Sequence, residues 1–413
     1  MTELDARAAA GDPQAMVESA IVLARGGDLD AARTLLDRSA ELGHSEALFV
    51  RGVVEESAGN AEAGIDWYVR AAQVGNADAM FNLGVSAAEN GQEDIADAWL
   101  QQAAESGSTK AAFNLGARAQ NAGNQADAEQ WYARAAEAGQ PEAMAALAAL
   151  LAGRGEFEQS AQWYARAFAA DLVDPDAAYF YGRVLERLGR PAEARSLLLR
   201  AATVKHAGAA AALGDLARAA GDAAEAEYWY TVSAELGDAS GLFGLGLVLA
   251  DRGDFQGAEA STRRAAELGN LQAANTLGEL EESRGATTEA LAWYTLAADA
   301  GLGQAAANRD RLTGTAATGA PAAGAANEQS GSPATDVTTP AAAQTQQGTG
   351  FAGAPGVAPI TGPVNEAAGY IPAQTTGEAV NDLGLQHGEL APAVGFDTAP
   401  NTDDGFGTQP ASA

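Results

Sequence analysis

Chemistry needs side chains that can attack, ligate or exchange protons, and this chain carries few of them in a usable arrangement. It has no cysteine, which excludes disulfide frameworks, thiolate catalysis and Cys-based zinc or iron–sulfur sites. Its histidines, His44, His206 and His387, are far apart in sequence and give no metal-ligand spacing. Carboxylates number 55 in 413 residues, so pairs of them arise everywhere and diagnose nothing. The glycine-rich string Gly241–Gly253 contains a GxG, but no strand precedes it and it offers no phosphate cradle. Neither a catalytic residue nor a cofactor or metal site is expected. Arginine remains: its planar fork pairs with carboxylates, and only Lys110 and Lys205 among the 24 basic residues are lysine. Which arginines share a surface depends on the elements that carry them.

The charge balance narrows the partners. The formal net charge is -31. No Lys or Arg follows Arg311, while nine acids do, which leaves 46 acids against 24 basic residues before that point. Such a field repels phosphates and argues against nucleic acid and anionic membrane surfaces. The most apolar stretches, Gly241–Ala250 and Ala143–Ala152, are ten residues long, whereas a membrane span needs roughly twenty. The start, Met-Thr-Glu-Leu-Asp, has neither a basic nor an apolar targeting region. A soluble, cytoplasmic, monomeric protein is expected, and the Arg-for-Lys bias with the abundance of Ala suggests a high-GC bacterial genome.

Spacing decides the architecture. Trp67, Trp99, Trp131, Trp163, Trp229 and Trp293 fall on one lattice of period 32, with a single slip of two between Trp163 and Trp229. Leu35, Leu197 and Ser261 fill its other points. Glycines repeat in the same phase: Gly27, Gly59, Gly91 and onward, then Gly43, Gly75, Gly107, and a third series through Gly52, Gly84 and Gly116. Nine units follow. Each reads as two short helices stopped by glycine, because a residue just past a helix end adopts a left-handed conformation that glycine takes without a Cβ penalty. In the fourth unit Ala128, Trp131, Tyr132 and Ala135 form one apolar face, and the tryptophans read as core. A single pair cannot bury its face, so pairs must stack. The expected fold is all-α, a right-handed α-solenoid over residues 1–312, with Gln304–Leu312 as a polar closing helix.

The segment Ala128-Glu-Gln-Trp-Tyr-Ala-Arg-Ala-Ala-Glu-Ala-Gly139, preceded by Asn114-Leu-Gly116, resembles the Sel1-like repeat of the tetratricopeptide-repeat superfamily. The resemblance covers about residues 13–312 and recurs nine times. The first, sixth and eighth copies depart at the tryptophan, and the units lack the extended inter-helix loop usual for Sel1. The resemblance implies an adaptor that holds peptides or proteins, with the first helix of each pair lining a concave groove. Matched by position, Phe49, Phe81, Phe113, Tyr179 and Phe243 then face inward as an aromatic ladder, the competing reading being that each ring packs on the preceding unit. The same matching turns Arg183, Arg187 and Arg218 inward beside Glu186 and Asp215, a candidate site for a partner's carboxylate. The competing reading is an ordinary solvated helix face. Arg70, Arg134, Arg166, Arg200 and Arg264 belong to the repeat itself.

The two extra residues fall in Asp171–Asp176, where Asp171 and, one unit on, Lys205 replace the stopping glycine. Few long side chains are expected to bridge this point, which makes it a candidate joint. From 313 to 413 the chain is acidic and rich in Ala, Pro, Gly and Thr, and is expected to be disordered. Isolated apolar residues within it, among them Phe351, Ile360, Tyr370, Leu383 and Leu385, are candidate docking motifs. The function class expected is a non-catalytic binding scaffold for a protein or peptide. A self-assembling structural solenoid and an enzyme are the alternatives.

Overall fold

The structure is a computed structural model and describes residues 3–314, which form twenty helices, α1 (Glu3–Ala9) to α20 (Gly303–Thr313), with no strand among them. The expectation of a disordered tail falls on residues outside this range, apart from Thr313 and Gly314. Every helix between the first and the last is 13 residues long. All but one of the connectors have three residues: a helix cap, a residue at positive φ and the cap of the next helix. Thirteen and three make a half-period, and two half-periods make the repeat of 32. At Gly139, for example, φ is 99°, a conformation that brings Gln140 N–H back to Ala135 C=O at 3.1 Å and satisfies the end of the helix.

The described residues divide into two compact units, one ending at Leu115 and the other beginning at Gly116, within α8 (Thr109–Asn121). In each, consecutive helices pack in chain order, and the fold is a stack of helix pairs, an α-solenoid. Even-numbered helices are the first of each pair and odd-numbered helices the second.

Pairing rests on one contact. In the second unit Gly116 faces Tyr132 of α9 (Gln125–Glu137), so closely that a Cβ there would lie 2.6 Å from the ring. Gly214 meets Tyr230, and Gly278 meets Tyr294, in the same way. In the first unit Gly52 meets Tyr68 and Gly84 meets Leu100. These second-helix residues, not the tryptophans, are the core: Tyr132, Tyr164, Tyr230 and Tyr294 are fully buried, while each Trp is half-buried. The core lattice therefore lies one residue beyond the expected one. Three of these hydroxyls reach back to their own first helix in the same way: Tyr68 Oη donates to Glu56 at 2.7 Å, Tyr132 Oη to Gln120 at 2.9 Å, and Tyr294 Oη to Glu282 at 2.9 Å. Tyr164 Oη is buried without a partner, because Ala152 stands at the position of those acceptors.

The tryptophans instead carry the repeat's arginines. The guanidinium of Arg70 lies 4.6 Å from the Trp67 ring, that of Arg134 5.7 Å from Trp131, and that of Arg166 4.1 Å from Trp163, a spacing suited to cation–π attraction.

The exceptional connector is Ala170–Asp174, between α11 (Phe157–Ala169) and α12 (Pro175–Arg187). Asp171 takes the left-handed conformation, φ 62°, as Lys205 does later at φ 67°, so the stop survives the loss of glycine. Leu172 N–H reaches Ala167 C=O at 3.1 Å, Leu172 is buried, and Asp174 caps α12 through Asp176 N–H at 2.9 Å. Long side chains do bridge this point, contrary to expectation: Tyr181 of α12 stacks on Tyr164 and Phe168 of α11, with ring centroids 5.4 and 5.9 Å apart.

These contacts rank two neighbouring residues. Tyr132→Ala is expected to cost about 3–5 kcal/mol, the usual loss for a buried large aromatic, and Trp131→Ala distinctly less, since part of its ring already meets water. Urea unfolding of the two variants beside the parent measures the order.

Candidate functional site

Among the expected site residues, the aromatic ladder is the first that the structure revises. In the first unit Phe81 and Phe113 are 3% and 0% exposed and offer a ligand almost no surface; they belong to the core. Phe49 is half-buried, its ring 5.8 Å from Tyr68. In the second unit Phe243 is half-buried, while Tyr179 is buried and lies 4.7 Å from the His206 ring.

The arginine group sits on α12 and α14 (Ala207–Ala219). Arg183 and Glu186 are i, i+3 on α12, one helical turn apart, so Arg183 Nε donates to Glu186 Oε2 at 2.9 Å. Arg187, exposed at the end of the same helix, lies 5.2 Å from the Phe157 ring. On α14, Asp215 accepts from Tyr230 Oη of α15 (Ala223–Glu235) at 2.7 Å. Arg218 is exposed and hydrogen-bonds the same hydroxyl, with the charges of Asp215 and Asp251 nearby. Burial works against the charge on Arg218, but Tyr230, Asp215 and Asp251 leave its pKa above the usual arginine value. His206 caps α14: its Nδ1 accepts from Ala209 N–H at 3.0 Å, which leaves Nε2 to face Asp176 at 3.0 Å. Arg183 and Arg218 thus each have acidic neighbours within the protein.

Glu186 is the anomaly. Its side chain is 3% exposed, and Oε1 has no hydrogen-bond partner. Burial pushes its carboxyl up to about 7, against the pull of Arg183 and with the help of Asp215.

The first unit holds a second polar group that the spacing did not reveal. Arg33 of α3 (Leu29–Glu41) donates through Nε and Nη2 to the two oxygens of Glu55 on α4 (Ser45–Ser57), both at 2.9 Å. Arg51 also donates to Glu55, and reaches Asp37 at 3.0 Å, while Asn60 Nδ2 donates to Glu55 at 2.8 Å. Burial would raise the Glu55 pKa, yet these donors hold it at about 2. Arg51 also lies 5.1 Å from the Trp67 ring. This is a closed knot joining α3 to α4. A basic residue in a second helix, 22 positions before a glutamate of the next first helix, was its only trace in the sequence.

Among the described residues no group of three His, Asp or Glu side chains is arranged to hold a metal ion, and no helix is long and apolar enough to cross a membrane.

Comparison with known proteins gives concordant results. A family model described as the tetratricopeptide repeat matches residues 17–76, 144–210 and 243–306. A protective antigen of uropathogenic Escherichia coli strains, whose crystal structure displays an SLR fold, is similar at 25% identity and a TM-score of 0.57, over 76% of this chain and 75% of that one. A Sel1 repeat protein from Oxalobacter formigenes is similar at 23% identity and a TM-score of 0.44, over 71% of this chain and 93% of that one. No curated protein sequence matches this chain.

The Glu186 environment predicts a pH effect. The folded state raises this pKa, so the fold holds the proton more tightly than the unfolded chain does. Stability from that proton is complete below the ordinary carboxylate value of about 4.5 and is lost as pH rises through about 7. Glu186→Gln is therefore expected to stabilise the protein at pH 8, by something on the order of 3 kcal/mol, with the gain fading towards pH 4. Urea midpoints of parent and variant across that range measure it.

Proposed function

Because the chain belongs to the tetratricopeptide-repeat superfamily, with Sel1-like units, we propose that it is a non-catalytic scaffold that binds a protein or peptide along the first helices of its pairs. The supporting observation is the exposure of Arg187 and Arg218 on consecutive first helices, α12 and α14, beside the carboxylates Glu186 and Asp215. A partner segment carrying carboxylates would meet these forks, with Arg183 behind them. In the second unit half-buried Phe243 adds apolar contact, and in the first unit Phe49 does. The protein is proposed to do this in the cytoplasm, as a monomer. Affinity capture from native extract tests it. The double variant Arg187→Glu with Arg218→Glu is expected to lose a protein that the parent retains; identical recovered sets would remove the arginines from the site.

The proposal extends to the connector Ala170–Asp174 as a joint between α11 and α12, with the stack of Tyr181 on Tyr164 and Phe168 setting its stiffness. Tyr181→Ala is then expected to speed amide exchange across 171–176 by about tenfold or more. Exchange unchanged from the parent would make the insertion a plain loop.

A further inference from the structure

Large aliphatic side chains stand in water at regular intervals along one edge of the second unit. The connectors that follow α11, α13 (Pro191–Thr203), α15 and α17 (Phe255–Glu267) each expose one: Val173, Val204, Leu236 and Leu268, at 86%, 60%, 39% and 52%. Each of these connectors leads from a second helix to the next first helix, so all four lie at the same end of their pairs. Contacts beneath them agree. Asp176 at the start of α12 meets His206, the cap of α14, and Ser233 Oγ near the end of α15 donates to Ala207 C=O at 3.0 Å. One apolar cluster joins the ends of α15 and α17 to the start of α18 (Leu271–Ser283), through Ala234, Ala265, Ala266 and Ala273.

The fold does not require these side chains. Val204, Leu236 and Leu268 cap their helices. Ala138 and Ala300 hold the same position after α9 and α19 (Thr287–Asp299), and in the first unit Ser106 holds it after α7 (Glu93–Glu105). The opposite connectors, from first helix to second, are of another kind: the caps of α14, α16 (Ala239–Asp251) and α18 are Ala220, Arg252 and Arg284. Single exposed apolar residues need no explanation, but a set repeated along one edge marks a contact surface. The first unit, taken by itself, has Leu42 and Val74 at the corresponding caps, 55% and 58% exposed.

The surroundings select the occupant. Asp171 and Asp176 flank Val173, and Glu235 and Glu267 directly precede Leu236 and Leu268; all four carboxylates are exposed. Lys205 is the one lysine or arginine in the four connectors. Such a strip attracts positive charge and repels both anionic lipid and a second acidic copy of this chain. Neighbouring helices pack roughly 8–10 Å apart, so the aliphatic row recurs at about the rise of seven helical residues, ~10 Å.

We propose that this edge docks a basic amphipathic helix of another protein. Its aliphatic side chains recur at every seventh residue and pack along Val173, Val204, Leu236 and Leu268, while its lysines or arginines meet Asp171, Asp176, Glu235 and Glu267. This occupant is opposite in charge to the carboxylate-bearing segment proposed for the first helices, so the scaffold holds two partners on separate faces.

Fluorescence anisotropy on the full chain tests the docking. The probe is a labelled helical peptide of alanine and lysine with a leucine at every seventh residue, beside a peptide of the same composition with its leucines scrambled. The parent is expected to bind the regular peptide about tenfold or more tighter, because only that one buries several aliphatic side chains together. Val204→Ser with Leu236→Ser and Leu268→Ser is expected to abolish the preference; Ser106 shows that the turn forms with serine at this position. Glu235→Lys with Glu267→Lys is expected to weaken both peptides several-fold. Equal affinity of the two peptides for the parent overturns the proposal, and so does a triple serine variant that keeps the preference. Loss of binding in Arg187→Glu with Arg218→Glu overturns it too, since the peptide then sits on the first helices. Parent dimers in light scattering that the triple variant does not form overturn it in favour of a second copy.

Discussion

The close approach of a first-helix glycine to a second-helix ring or leucine is the contact on which the rest depends. Removing one Cβ lets two helices meet backbone to ring, as Gly116 does with Tyr132 and Gly278 with Tyr294. The ring is then sealed on the face towards the next pair, where it covers residues such as Val248. Local pairing and stacking thus share one side chain. Loss of the ring opens both interfaces, and in an array whose members touch only their neighbours nothing distant compensates.

Polar chemistry in this protein serves the stacking. Inside the second unit, Arg154 pairs with Glu129, Arg252 with Glu227 and Arg284 with Glu259. Each arginine caps a first helix and reaches back to the second helix of the preceding pair. Such exposed pairs contribute little individually, but their recurrence holds a register. The buried Glu55 knot does the same with stronger geometry, every oxygen accounted for. Against that background Glu186 stands out as an acid with a buried oxygen left unsatisfied.

The helices were legible because glycine spacing states where each one stops, and Asp171 and Lys205 could be read as stand-ins from their position alone. The core was misread by one residue. In the pair Trp131-Tyr132 both residues keep the period, and bulk favoured the tryptophan as the buried member. The decisive signal lay 16 residues upstream: Gly116 aligns with Tyr132, not with Trp131. The site was legible only as a neighbourhood. Position on a first helix put Arg183, Glu186 and Arg187 on α12 and Asp215 and Arg218 on α14, but whether Phe81 or Phe113 meets solvent depends on packing between neighbouring helices that periodicity does not express.

The three-residue connector has a consequence for how such a chain can change. With 13 helical residues and three linking ones, any insertion that is not a whole repeat shifts the phase of all that follows, unless the local backbone absorbs it. Ala170–Asp174 absorbs two residues with a left-handed aspartate, a buried leucine and a new cap. Elsewhere the connectors leave no slack. Length is therefore expected to vary among relatives in quanta of one helix pair, by duplication or loss of whole repeats, while changes of one or two residues concentrate where a connector has already been loosened.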